Sequence, residues 1–103
     1  MNVAAWIGRR EPAPPAALAE RLRVLAAEAP EGAPLPEAMI IASGNVLRRL
    51  LHEGQTGRAG ALELLAADAL ATYAFEAQGE APEELDARCT WAMGYLSRIA
   101  ERP

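Results

Sequence analysis

Residues 59–78 set the tightest limit on how this chain folds, because they have helix length and are apolar on two sides. At helical spacing Leu62, Leu65, Ala66, Ala69, Leu70 and Tyr73 make one face, and Leu64, Ala71 and Phe75 make a second, roughly opposite. A helix that is apolar nearly all round either sits at the centre of its bundle or is covered by a partner. With 103 residues the chain can bury one thin core. The segment therefore predicts that the other helices, or a second molecule, wrap it.

The rest of the chain divides by its prolines and glycines. Pro12, Pro14 and Pro15 open one segment, and Pro30, Gly32, Pro34 and Pro36 close it. Gly54, Gly57 and Gly60 make the next break, and Gly79 with Pro82 the last. Five helices are expected, over residues 2–9, 15–29, 36–53, 59–78 and 82–102. In the first, Val3, Trp6 and Ile7 fall at i, i+3 and i+4. In the second, Leu18, Leu22, Leu25 and Ala29 form the buried stripe, while Glu20, Arg21, Arg23 and Glu28 stay in water. In the third, Met39, Ser43, Val46, Leu47, Leu50 and Leu51 share one broad side with Ile40, and Gly54 is the expected C-terminal cap. Gly44 lies inside that helix, where it costs roughly 1 kcal/mol against Ala, which predicts close approach of a neighbouring helix. In the fifth, Leu85, Cys89, Ala92, Leu96 and Ile99 point one way. Its acidic first turn (Glu83, Glu84, Asp86) and its late Arg98 and Arg102 suit the helix dipole.

Composition agrees. Hydrophobic residues make up 51% and aromatics 5%, alanine dominates, and β-branched residues are sparse, all of which favours helix over sheet. Short connections favour antiparallel neighbours. The expected fold is an all-α, antiparallel bundle of four main helices with a short N-terminal helix, forming a single domain over residues 1–103.

Several functions lack their residues. All ten basic residues are Arg, the net charge is −4, and Arg9-Arg10 and Arg48-Arg49 are too short to form a basic patch, so nucleic acid is not an expected partner. The apolar run 38–42 is far short of the ~20 residues that cross a bilayer. One cysteine, Cys89, permits no internal disulfide, and residues 1–10 lack the apolar run of a signal peptide, so a cytoplasmic location is expected. A single histidine, His52, and no Cys-x-x-Cys leave no metal or cofactor pattern. Cys89 with His52 is the one nucleophile–base pairing available, and Cys89 falls on the buried stripe of its helix, where cysteine acts as a small hydrophobe. No catalytic residue is expected.

Three features stand out. Trp91, Tyr95 and Arg98 lie at i, i+4 and i+7 on the side of the last helix away from Leu85 and Ile99, and these residue types dominate binding hot spots. The alternative is that this stripe packs on the N-terminal helix beside Trp6. Leu64 and Phe75 mark the second apolar face of the fourth helix. Asp68 lies among Leu64, Ala71 and Phe75, as a candidate buried carboxylate or as an edge residue bonded to an Arg.

The stretch 60–76, GALELLAADALATYAFE, resembles a helix of the trans-polyprenyl synthase family that follows the first Asp-rich motif. The matching residues are Leu64, Leu65, Ala66, Ala67, Asp68, Ala69, Leu70, Ala74, Phe75 and Glu76. The chain has no DDxxD motif, no Lys to hold a diphosphate, and about a third of that fold's length. The resemblance therefore implies a helical bundle with a buried Asp68 and carries no catalytic residue. The leading expectation is a non-enzymatic interaction or scaffold domain, self-associating or an accessory subunit, with a protein partner or second copy. A bundle binding a small apolar or isoprenoid-like ligand, and a degenerate or accessory enzyme subunit, are the alternatives.

Overall fold

A computed structural model describes residues 2–54 and 57–101. The described residues form an all-α architecture of four main helices and a short N-terminal one. They are α1 (Val3–Ile7), α2 (Ala16–Ala27), α3 (Leu35–Glu53), α4 (Gly57–Gln78) and α5 (Leu85–Glu101). Arg102, expected in the last turn of the fifth helix, lies outside the described residues.

The apolar triplet of α1 is buried as its spacing predicts, and Asn2 caps the helix by accepting from the Ala5 N–H at 2.8 Å. Trp6 anchors it. The indole meets the Tyr73 ring edge-on at 5.8 Å, its Nε1–H donates to Glu80 Oε1 at 3.2 Å, and the Arg10 guanidinium lies 3.8 Å from its ring centroid. The partner of Trp6 is thus Tyr73 of α4, not the Trp91 stripe.

α3 is the spine of the molecule and shares its largest contact with α4. It buries Met39, Ile40, Ala42, Ser43 and Val46, and it ends where expected, on Gly54 in the left-handed region at φ 60°. Leu51, expected on the apolar side, is exposed instead, because the helix ends around it leave an open groove. The Ser43 hydroxyl donates to the Ala67 carbonyl at 2.7 Å, so a buried polar group is satisfied at the α3–α4 seam.

Gly44 has the role its position predicts. A Cβ there would stand 2.5 Å from Tyr95 Cε1 and 2.6 Å from Ile99 Cδ1, so α5 crosses α3 directly over it. Two expectations for α5 need correction. Pro82–Glu84 form a 3-10 turn, so the helix starts at Leu85. Tyr95 also lies on the α3 side with Ile99, not away from it. Since the crossing is local, only Ala92 and Ile99 are fully buried, Cys89 and Leu96 are half-buried, and Leu85 is exposed.

A further correction concerns α2. Arg21 does not stay in water; it forms a bidentate pair with Glu63 of α4, with Nη2 donating to Oε2 at 2.9 Å and Nε donating to Oε1. The Arg21 guanidinium beside Glu63 holds that carboxyl below its ordinary value of 4.5. A depressed carboxylate stabilises the fold above its unfolded pKa, and the contribution fades as pH falls through the folded value. Glu63→Gln is therefore expected to cost about 1 kcal/mol at neutral pH. In urea titrations that difference from wild type should shrink steadily below the ordinary glutamate range; a difference constant down to acid pH would show that the pair contributes nothing.

Candidate functional site

The orientation of α4 defines the site. Its inner side, turned to α3 and α2, is built from small residues and one leucine: Gly60, Ala66, Ala67, Leu70, Ala74 and Ala77 are all buried. The bulkier residues face out. Leu64 is 56% and Leu65 55% exposed, and Phe75 lies at 36%. The chain's own helices thus cover one face of α4 and leave the other open. Leu65, assigned to the buried face, is on the outer side, because the seam with α3, where Met39, Ile40 and Val46 are buried, is met by Leu70 and the alanines of the opposite side of α4.

Asp68 is also exposed, standing between Leu64 and Leu65 on one side and Thr72 and Phe75 on the other. The buried-carboxylate reading of Asp68, which the polyprenyl synthase resemblance also implied, does not hold. Asp68 stays in water because its helix presents alanines, not residue 68, to α3.

Where α4 begins, the outer face borders a groove. It is open to solvent, encloses about 450 Å³, and lies between the C-terminal ends of α3 and α5 and the first turns of α4. Leu50, Leu51, Gly60, Leu64, Leu96 and Ile99 are among its lining residues, which are all Leu, Ile, Ala or Gly. Among the described residues no lining side chain offers a hydrogen bond.

The remaining candidates are separated in space. Trp91 and Tyr95 stack at 5.3 Å and are half-buried on α5, whereas Arg98 is exposed. Trp91 and Phe75 both border a narrow crevice between α4, α5 and the start of α3. They are thus neighbours at one end of the molecule, while Leu64 belongs to the other.

Cys89 follows Arg88, whose guanidinium reaches Glu37 in the first turn of α3 at 3.5 Å. His52 is in the last turn of that helix, about 22 Å farther along at 1.5 Å per residue. The fold does not bring the two together. Among the described residues no group of three His, Cys, Asp or Glu is placed to hold a metal ion, and no helix is long and apolar enough to cross a membrane.

Arg21 and Glu63, which link α2 to α4, escaped the sequence reading. Opposite charges two helices apart carry no local signal; the i, i+3 pair Glu20–Arg23 does, and it forms as spacing allows.

Compared with known proteins, the chain matches no protein-family model, no curated protein and no solved structure.

Proposed function

We infer that this chain is a non-enzymatic helical interaction domain, acting through the outer face of α4 as a self-associating unit or as a small subunit of a larger assembly. One observation carries the reading: Leu64 and Leu65 are adjacent, on a main helix, and more than half exposed. Contiguous apolar surface of this kind is normally kept for contact with protein or ligand. The single cysteine fits a reducing, cytoplasmic setting.

The test uses the Leu64→Gln/Leu65→Gln double variant, which keeps helix propensity and removes the apolar surface. Wild type should run in light scattering as an assembly, or hold a distinct protein stably when purified from its own cells, and the variant should lose that association. A wild type that is monomeric and holds nothing, or a variant that associates as well as wild type, contradicts the reading.

The groove supports a second reading, binding of an apolar chain of isoprenoid or acyl type. Its volume of about 450 Å³ suits such a ligand, and its described lining side chains are all apolar. Native mass spectrometry of freshly purified protein should then show a mass beyond that of the polypeptide; a mass equal to the polypeptide alone contradicts it.

A further inference from the structure

We propose that the outer face of α4 pairs with the same face of a second copy, antiparallel about a two-fold axis level with Glu63; this rests on the interaction reading above and names its partner. Three features of the face support that pairing.

The first is charge. Arg58 and Asp68 are both exposed on α4, about 15 Å apart along its axis. Among the described residues neither makes an ion pair within the chain. Antiparallel pairing about residue 63 sets Arg58 opposite Asp68 of the second copy, and the symmetry supplies the pair twice. A parallel pairing in register sets Asp68 against Asp68 and Arg58 against Arg58. Arg58 is also misplaced for the isolated chain: it stands in the first turn of α4, at the positive end of the helix dipole, where a cation is unfavourable and where α4 carries no acidic residue. A carboxylate from a second copy offsets that repulsion.

The second is shape. Leu64 lies one residue from the axis and meets its own counterpart there. Leu65 falls level with Ala61 of the second copy, so a large side chain faces a small one on both sides.

The third is the distribution of the other wet hydrophobics. Leu51, in the last turn of α3, borders the same groove as Leu64 and so lies beside this face. The pairing thus gathers Leu51, Leu64 and Leu65, three of the exposed large hydrophobics, around the axis.

The test is a charge-reversal cycle read by sedimentation equilibrium on the full chain: wild type, Arg58→Asp, Asp68→Arg, and the two together. Wild type should be a closed dimer. Each single reversal places like charges together twice and should weaken it by about tenfold or more, whereas the double reversal should return it to within about threefold. Arg58→Asp puts an acid at the helix N-terminus, so its monomer should melt no lower than wild type, which separates a lost interface from a lost fold.

A monomeric wild type, an open-ended polymer, or single reversals that leave the dimer unchanged would each overturn the proposal. Failure of the underlying reading is distinguishable. If Leu64→Gln/Leu65→Gln abolishes an association that charge reversal leaves intact, this pairing is overturned while the α4 face stands as the docking surface.

Discussion

Gly44→Leu is expected to destabilise the protein by about 3 kcal/mol and to release α5 from α3, whereas Gly44→Ala should cost about 1 kcal/mol. Alanine in place of a helix-interior glycine is normally a gain of roughly 1 kcal/mol. Here that gain is opposed by the contacts at 2.5 Å with Tyr95 Cε1 and 2.6 Å with Ile99 Cδ1. The isoleucine tip has rotamers to retreat into. The tyrosine ring does not, since Trp91 is stacked against it at 5.3 Å. One methyl group is therefore accommodated by a small outward shift of α5. A leucine is not, and α5 has few other anchors, with only Ala92 and Ile99 fully buried. Urea unfolding followed by fluorescence checks this, because Trp91 should become more exposed in the leucine variant before the global transition. An unchanged midpoint in Gly44→Leu would show that the helices do not cross at this residue.

Trp6→Ala is expected to cost about 3–5 kcal/mol, the range for removing a buried large aromatic. The side chain is 2% exposed and is the main link between a helix of five residues and the rest of the molecule. A helix that short has no stability of its own. Losing the indole removes the edge-on contact with Tyr73, the bond to Glu80 and the surface beneath Arg10 together, so α1 should detach and expose the α2–α3 side it covers. Trp6→Phe keeps most of the apolar area and loses the Glu80 bond, and should cost about 1 kcal/mol. Chemical denaturation of the two variants separates these values. Equal, small losses in both would mean that α1 is not part of the cooperative fold.

Much of this architecture was legible because its signals are local. Gly54 ends α3 in a conformation that glycine adopts without penalty, and Gly44 marks a crossing because nothing else justifies its helical cost. The spacing of Val3, Trp6 and Ile7 foretold their burial. The orientation of α4 was not legible. Apolar residues all round a helix leave no side preferred by hydrophobicity, and the decision passes to size. α3 brings Met39, Ile40 and Val46 to the seam, and the Ala67 carbonyl accepts from Ser43, so alanines turn inward and Leu64, Leu65 and Asp68 turn outward. Asp68 follows the same rule, since the apolar residues beside it in the helix are its neighbours on the wet side. The Arg21–Glu63 pair and the 3-10 turn at Pro82–Glu84 depend on how helices meet and how the chain enters α5, neither of which leaves a periodic trace.

The central claim is that the core closes without the outer leucines of α4, which leaves them free for association. Its most direct test is the unfolding free energy of Leu64→Gln/Leu65→Gln at high dilution, where self-association does not contribute. The loss should stay below about 1.5 kcal/mol for the pair, as for side chains already more than half in water. A loss of about 4 kcal/mol or more, the cost of emptying two core leucine sites, would show that these residues hold the monomer together and would contradict the claim.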